Sequence, residues 1–359
     1  MNRIPLYYVR GGTSSGVIIQ KKDLPDDKEK INAIVRKIFG VPRKEGETVD
    51  SNQIEGIGKG KSTGNKCFII DIDVDSKVVF STFLQLESSS NNVSWEVNCG
   101  NMTTAIPLVL DDLGVTNQLI DVNNKINIYN TNTQKKILCE LPKKNEIFSY
   151  CRIPGVNNEY PEVDIFFANP EGSLTSGPFP TGSQVDIING IEVSCIDAVV
   201  PMVIIDAKSL NITGNEDRDT LLKMPDLLED LELIRIHAGV MMKIKDKSSA
   251  VMDSEQIRNS ITIPKVAIVS KGNNDSDISI IYLTPKEIHN SIAVSGGSCL
   301  TYACSVQGNV ASKIFYGTEV RIKHFAGISS FGCIKQKNTT ELYTKRNAQI
   351  YMKGDFYIY

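Results

Sequence analysis

The stretch that decides the fold is SWEVNCGNMTTAIPLVLDDLGV, Ser94–Val115, in which a strand-like segment gives way to a helix-like one. Cys99 stands at the change, a Gly-Asn pair follows it, and the apolar run closes at Gly114, a residue type that commonly ends helices. Pro107 lies inside this run, so it must either fall in the first helical turn or kink the helix. The segment predicts a helix that starts near Gly100 with a cysteine directly before it.

Most of the remaining first half reads as strands separated by turns. Alternating or continuous apolar runs indicate strands; they are LYYVRGG, GVIIQ, KCFIIDIDV, VVFSTFLQLE, KINIYN, KKILCELP and VDIFFAN. One more helix is predicted in LPDDKEKINAIVRKIFGV, which begins with acidic residues and ends at Gly40. The first half is therefore expected to be a sheet with one central, glycine-led helix.

The second half repeats this order. IDAVVPMVIIDA is a strand pair, two helical stretches follow at roughly 216–224 and 226–246, and PKVAIVS and DISIIYL are strands. SIAVSGGSCLTYACSV then turns from strand to helix through glycines. Matching positions recur at an interval of about 190 residues, which indicates duplication; the pairs are Ile18 and Ile204, Lys66 and Lys265, Gly100 and Gly297, and Phe166 and Phe356.

The predicted fold class is α+β, with two similar modules at residues 1–180 and 181–359. Each module would be a curved, mostly antiparallel sheet wrapped around a central helix. The boundary is expected in the Gly-, Pro-, Ser- and Thr-rich segment 169–190. An active site is expected between the modules, where two helix N-termini can converge.

The composition argues against several classes of partner. The chain has 359 residues with a formal net charge of −3, so it shows no overall preference for nucleic acid or anionic membranes. No apolar stretch approaches the roughly 18 residues that cross a bilayer. The start, MNRIPLYYVRGG, lacks the apolar region of a signal peptide, and we therefore expect a cytoplasmic protein.

The cysteine and glycine patterns predict neither a metal nor a nucleotide cofactor. The eight cysteines are scattered, with no C-x-x-C pair and no Cys/His ligand spacing, so a zinc site is not expected and the thiols should be reduced. GIGKGKSTG, residues 56–64, lacks the spacing of a P-loop and precedes its strand instead of following it. Its lysines, Lys59 and Lys61, are typical of a solvated loop.

Cys99 has two interpretations. Directly before a helix N-terminus it would lie at the positive end of the helix dipole, which favours the thiolate. The N–H groups of Gly100 and Asn101 could then bind a carboxylate or a developing enolate. A buried structural cysteine is the alternative, and the tripeptide alone does not decide between them.

Three further features accompany Cys99. RGGTSSG, residues 10–16, is a turn whose N–H and hydroxyl groups could hold an anion, and Lys66 stands at the mouth of a strong strand. SGGSC, Ser295–Cys299, repeats the glycine turn in the second module. Taken singly, they are typical of a hairpin turn, a surface lysine and a helix start.

Together and in this order, these features resemble the methylitaconate and methylaconitate isomerases, the PrpF-like family of the diaminopimelate-epimerase fold group. RGGTSSG followed by DLP is similar to the family's R-G-G-T-S-K-G and D-L-P, and NCGN matches its N-C-G-N. TGNKCFII is loosely similar to T-S-K-V-A-I-V, and SGGSCLTYA to T-G-A-I-C-T-A-V-A. HFAG, residues 324–327, is similar to the H-P-S-G loop.

The resemblance implies a cofactor-independent isomerase that moves a proton and a double bond in a small unsaturated di- or tricarboxylate of the aconitate, methylaconitate or methylitaconate type. The family's acid–base pair corresponds to Lys66 and Cys99, with no metal. The implied substrate-binding residues are Thr13, Ser14, Ser15, Gly100, Asn101, Ser295, Gly296, Gly297, Ala326 and Gly327. The implied partner is a small carboxylate, with no nucleic acid and no membrane; the oligomeric state is open, and a homodimer is one candidate.

Three departures from the family leave the acid itself open, one of which is the segment before Lys66. Ser15 replaces a lysine of the first loop, and Ala326 replaces a serine of the H-P-S-G loop. A two-cysteine epimerase is disfavoured, because the counterpart of Cys99 would be Val294 or Ser295. Two alternatives remain: an epimerase or cis–trans isomerase of a related acid, and a non-catalytic carboxylate-binding or accessory protein. Which of Lys66 and Cys99 removes the first proton is also open.

Overall fold

The computed structural model describes residues 2–47, 55–58, 62–95, 98–246, 248–260, 262–285, 287–337 and 339–359. The chain divides into two compact units: unit 1 is Met1–Phe166 with Lys345–Tyr359, and unit 2 is Phe167–Thr344. These units do not coincide with the predicted modules 1–180 and 181–359, because the end of the chain pairs with the first strand. Lys59 and Lys61, predicted as a solvated loop, lie outside the described residues.

Unit 1 contains the following elements in chain order: β1 Asn2–Gly11, β2 Ser14–Gln20, α1 Lys28–Phe39, β3 Lys66–Asp73, β4 Val78–Leu86, β5 Val93–Ser94, α2 Gly100–Thr103, α3 Ala105–Asp112, α4 Thr116–Leu119, β6 Ile126–Asn130, β7 Lys135–Glu140, β8 Lys143–Lys144, β9 Ile147–Phe148, β10 Tyr150–Cys151 and β11 Tyr160–Ala168. Short 3₁₀ turns occur at Lys21–Asp23 and Ser62–Gly64. Every apolar run predicted as a strand in the first half is a strand.

The sheet of unit 1 mixes antiparallel and parallel pairs. β1 and β2 are antiparallel, β2 and β3 parallel, and β3 and β4 antiparallel. β4 and β6 are parallel, while β6 with β7 and β7 with β11 are antiparallel. The connections at the two parallel steps contain the helices, α1 between β2 and β3, and α2 to α4 between β4 and β6.

The first helix follows its sequence signals. Asp27 accepts a hydrogen bond from the Lys30 N–H and so caps α1, and Gly40 closes it in the left-handed conformation with φ 67°. The buried face of α1 includes Ile31, Val35, Ile38 and Phe39, which pack in one cluster with Cys67 and Ile69 of β3. Because side chains alternate along a strand, Lys66 and Phe68 project to the opposite face.

The helix after Cys99 is interrupted. α2 begins at Gly100, as predicted, and Thr104 separates it from α3. Pro107 has no N–H and so cannot donate the helical hydrogen bond to the carbonyl of Thr103. The proline therefore breaks the helix one turn after its start, and Gly114, with φ 72°, follows its end.

Unit 2 contains β12 Asp186–Ile188, β13 Ile191–Ala198, β14 Val200–Asp206, α5 Arg218–Leu221, α6 Pro225–Met241, α7 Ser254–Asn259, β15 Lys265–Lys271, β16 Ile278–Thr284, β17 Glu287–Ile288, α8 Val294–Cys304, α9 Val310–Ile314, β18 Glu319–His324, β19 Gly327–Gln336 and the start of β20, Thr339–Ile358. A 3₁₀ turn occurs at Ala207–Leu210. The later part of β20 belongs to unit 1, where it pairs antiparallel with β1.

The two units repeat one pairing order. β13, β14, β15, β16, β18 and β19 pair in the same antiparallel and parallel sequence as β1, β2, β3, β4, β6 and β7. The predicted repeat also keeps its register, because Ile18 pairs with Phe68 and its counterpart Ile204 pairs with Ala267. Two similar α+β modules are therefore confirmed. The pair Phe166 and Phe356 is not equivalent, since Phe356 lies opposite Ile4 in unit 1.

Candidate active site

The first two glycines of the Arg10–Gly16 loop allow it to lie directly on the start of α2. A Cβ added to Gly11 would be 2.5 Å from the carbonyl oxygen of Asn101, and one added to Gly12 would be 2.3 Å from Asn101 Oδ1. Gly12 also has a φ of 53°, a conformation that other residues rarely adopt. The loop and the residues after Cys99 therefore touch without an intervening side chain.

Gly16, the third glycine of the loop, allows the loop to lie directly on the backbone of β3. Gly16 pairs with Lys66 across the parallel strands β2 and β3. A Cβ at Gly16 would be 1.9 Å from the carbonyl oxygen of Lys66, which leaves no room for any other residue. One short loop thus fixes the backbones on which both predicted acid–base residues stand.

Cys99 is the N-cap residue of α2 and is partly exposed. Its carbonyl accepts the Thr103 N–H at 2.9 Å, and its Sγ lies 3.7 Å from the Oγ of Ser14, to which it can donate. Several other thiols are completely enclosed, and burial raises their pKa, which keeps them protonated. They are Cys67, Cys139, Cys195, Cys299 and Cys304. Cys99 differs from them in the exposure that a reacting thiol needs.

Lys66 is held in a defined position. Its side chain is buried, and its Nζ donates to Gln85 Oε1 at 2.5 Å and lies 5.2 Å from the centre of the Phe83 ring. The Gln85 Nε2 donates to the carbonyls of Asn65 and Leu86, which fixes the amide with its oxygen toward Lys66. The ammonium group is thus positioned by a neutral acceptor.

A cavity of about 220 Å³ opens beside this loop. The predicted binding residues Thr13, Ser14 and Ser15 line it, and Ser14 links it to Cys99. Asn101 is fixed beside it, since its Nδ2 donates to the Oγ1 of Thr13 at 3.3 Å. The other lining residues were not predicted from the sequence: Arg10, Thr63, Gly64, Gly155, Val156 and Tyr351.

In unit 2 the structure explains two predicted binding glycines by packing. A Cβ at Gly296 would be 2.5 Å from the Tyr282 ring, and one at Gly297 would be 2.1 Å from the Phe331 ring. The Gly297 N–H is already donated to the carbonyl of Ala293. Both residues are therefore glycines because aromatic rings occupy the space of their side chains. Ser295, in the first turn of α8, is half-buried.

The N-cap of α8 is Ala293, so the structural counterpart of Cys99 is an alanine and not Val294 or Ser295. Cys299 lies inside α8 and is fully buried, as predicted for a packing residue. A two-cysteine mechanism would need a second thiol at the N-cap of α8. In the described structure, that position holds Ala293 and not a cysteine.

The HFAG segment forms the tight turn between β18 and β19. His324 is buried, its Nε2 lies 2.9 Å from the Ser329 Oγ, and its Nδ1 accepts the Ala326 N–H at 3.2 Å. Both ring nitrogens are thus engaged within the hairpin. Ala326 is exposed, and Gly327 has a φ of 135°. The turn is therefore held by the hydrogen bonds of His324 and by the backbone conformation of Gly327.

Two further observations bear on the class of site. Within the described ranges, no three His, Cys, Asp or Glu side chains come together as a metal site would require. None of the helices in those ranges is both long and apolar enough to cross a membrane.

Comparison with known proteins identifies the family. The family model described as PrpF protein matches residues 1–359. This chain belongs to the PrpF family. Among its relatives are the 3-methylitaconate isomerase of Eubacterium barkeri, 28% identical over 99% of this chain and 97% of that protein, and the 4-oxalomesaconate tautomerase of Pseudomonas putida, 30% identical over 86% and 81%.

The fold comparison agrees with the family. A solved structure of a methylitaconate delta-isomerase matches with a TM-score of 0.83 at 27% identity, covering 99% of this chain and 95% of that one. The predicted fold class is therefore confirmed, as is the prediction that this PrpF protein is an enzyme of the isomerase class. The substrate and the roles of Lys66 and Cys99 remain proposals.

Proposed function

We propose that this PrpF protein moves a double bond within a small unsaturated di- or tricarboxylate by proton transfer at Lys66 and Cys99. The observation that carries the proposal is the Arg10–Gly16 loop, whose glycines contact Asn101 and Lys66 while its Ser14 contacts the Cys99 thiol. The two curated relatives are named for unsaturated polycarboxylates, methylitaconate and oxalomesaconate. A cavity of about 220 Å³ next to Ser14, which contacts the thiol, offers room for a small acid.

The proposed reaction has two proton transfers and no change of oxidation state. One of the two groups removes a proton from the carbon alpha or gamma to a carboxylate, and the electron pair of that C–H bond spreads into a dienolate. A proton then returns to the other end of the allyl system, from the second group or from the same one. The double bond moves by one position. If the same group removes and returns the proton, the enzyme is back in its starting protonation state; if the second group supplies it, one further proton transfer through solvent restores that state.

The intermediate needs hydrogen-bond donors where its negative charge develops. The N–H groups of Gly100 and Asn101 stand at the start of α2, and the hydroxyls of Thr13, Ser14 and Ser15 line the adjoining cavity. The binding roles predicted for Ser295, Gly296, Gly297, Ala326 and Gly327 of unit 2 stay predictions. No cofactor is needed for this chemistry, because the substrate's own carboxylate stabilises the carbanion.

The test is proton NMR in D₂O with a panel of acids: the aconitate isomers, methylaconitate, methylitaconate, itaconate and oxalomesaconate. We expect deuterium to enter one of them at both allylic carbons. Cys99→Ser and Lys66→Ala should each slow this exchange by about 10²-fold or more, as removal of an acid–base group does. The acid that exchanges names the substrate class.

Matched variants separate chemistry from damage. Cys333→Ser removes a buried thiol in unit 2, and Lys21→Ala removes an exposed lysine of unit 1; both should exchange like wild type. Exchange that persists at the wild-type rate in Cys99→Ser and Lys66→Ala would refute their roles. No exchange with any acid would refute the allylic chemistry for this panel.

A further inference from the structure

Arg10 is held rigidly by one side of its guanidinium group. The side chain is only 8% exposed, and its Nη1 donates to the carbonyl of Gly12 at 2.7 Å and to Asn347 Oδ1 at 2.8 Å. These bonds tie β1 to β20 within unit 1 and fix the plane of the guanidinium group. Because the guanidinium group is planar and rigid, the direction of Nη2 is then fixed as well.

The positive charge of Arg10 lacks an acidic partner in the described part of the chain. In that part its Nη2 is buried without a hydrogen-bond partner, and the centre of the Tyr160 ring lies 4.5 Å from the guanidinium carbon. Burial lowers the pKa of Arg10, which reflects the cost of enclosing this charge. Buried charges are normally paired, because an unpaired one costs several kcal/mol.

The cavity beside Ser14, whose Oγ contacts the Cys99 thiol, is the place where this charge can meet a ligand. Arg10 lines this cavity together with the hydroxyl-bearing residues Thr13, Ser14 and Thr63. A cation with a free donor edge and nearby hydroxyls is the donor set that recognises a carboxylate. Among the described residues that line this cavity, Arg10 is the one charged side chain.

We propose that Arg10 binds one carboxylate of the substrate. The inference rests on the proposed function, which it deepens by naming the residue that binds the second carboxylate. The carboxylate that becomes the dienolate stays near the start of α2, and the second carboxylate accepts from the Arg10 guanidinium group. A monoacid leaves that group unpaired, so the cavity discriminates against it.

The test measures binding as a function of both residue and ligand charge. Itaconate and its two monomethyl esters are titrated by saturation-transfer NMR against wild type and Arg10→Gln. Wild type should bind the diacid about 30-fold more tightly than the ester that blocks the second carboxylate. Arg10→Gln should weaken diacid binding by a similar factor and leave the binding of that ester within about threefold of wild type.

Arg346→Gln is the matched control. Arg346 is also a buried arginine of unit 1, and burial lowers its pKa to about 10, but it does not line the cavity. This variant should keep the wild-type preference for the diacid even if its melting temperature falls. Equal weakening of the diacid and both esters in Arg10→Gln would show a structural role and overturn the inference.

The same spectra distinguish this inference from the proposed function. If no panel acid exchanges deuterium but Arg10→Gln abolishes the preference for the diacid, the carboxylate site stands and the allylic chemistry fails. If an acid exchanges and Arg10→Gln keeps the wild-type preference, the chemistry stands and the Arg10 inference fails. Absence of saturable binding of itaconate to wild type also overturns it.

Discussion

At the scale of single residues, a comparison of two glycines in the paired strands β1 and β20 tests the contact between the Arg10–Gly16 loop and α2. Gly11 in β1 and Gly354 in β20 both have ordinary backbone conformations, so an added methyl group meets no strain there. Around Gly354 no atom lies within 4 Å of an added Cβ, whereas at Gly11 the backbone of Asn101 and Met102 is 2.5 and 2.8 Å away. Backbone cannot move aside as a flexible side chain can.

We therefore expect Gly11→Ala to lower the free energy of unfolding by about 3 kcal/mol and to reduce the isomerase rate, because α2 must shift. Gly354→Ala should change stability by at most about 0.5 kcal/mol, from backbone entropy alone, and leave the rate unchanged. Chemical denaturation with the deuterium-exchange assay measures both. Equal effects of the two substitutions would contradict a direct contact between the loop and α2.

At the scale of elements, α8 and β19 test whether the glycines of SGGSC serve packing or binding. Gly297→Ala places a methyl group against the Phe331 ring, and we expect it to cost about 2–3 kcal/mol of stability. Phe331→Leu alone should cost about 1–2 kcal/mol through the lost ring volume. In the Phe331→Leu background, Gly297→Ala should cost less than about 1 kcal/mol, because the space is now open.

The coupling between these two substitutions decides the question. Additive losses measured by denaturation, together with an isomerase rate that falls in both backgrounds, would support the predicted substrate-binding role of Gly297. If Phe331→Leu removes most of the stability loss caused by Gly297→Ala, position 297 is a glycine because of the contact between α8 and β19.

For the molecule as a whole, local sequence signals correctly predicted the strands and the ends of helices, because these depend on neighbouring residues. Apolar alternation located the strands, Asp27 and Gly40 bounded α1, and the change of pattern at Cys99 located the start of α2. The duplication followed from the order of these elements. The pairing of residues 348–358 with β1 could not be predicted, because periodicity shows that a segment is a strand and not which strand it pairs with.

The site was predicted where it lies within one motif and missed where distant chain segments meet. Thr13, Ser14 and Ser15 were predicted from their loop, but Gly155 and Tyr351 reach the cavity only through tertiary packing. Arg10 lies inside the quoted motif, but only the folded structure shows that none of the described acidic side chains pairs with it. The N-cap of α8 at Ala293 was missed by one residue or two, since glycines give no firm helix boundary.

Two carboxyl groups whose pKa is raised by burial, one in each unit, contribute to how the stability of the chain depends on pH. Burial raises the pKa of Asp164 in β11 to about 6, and it also raises the pKa of Asp197 in β13. Unfolded aspartates titrate near pH 4, so between these values the folded chain binds more protons and becomes more stable as the pH falls. Carboxyl groups with a lowered pKa, such as Asp277 beside Arg321, lose their contribution only below about pH 4.

We therefore expect the free energy of unfolding to be larger at pH 5.5 than at pH 8, by on the order of 1–2 kcal/mol after allowance for solvent screening. Asp164→Asn should raise stability at pH 8 and flatten this slope, because it removes the charge that burial opposes. Asp277→Asn is the matched control: it should lower stability at pH 8 and leave the slope between pH 5.5 and 8 intact. Denaturation curves across this range measure all three proteins, and a wild-type stability that rises toward pH 8 would contradict the assignment of Asp164 and Asp197 as the groups in control.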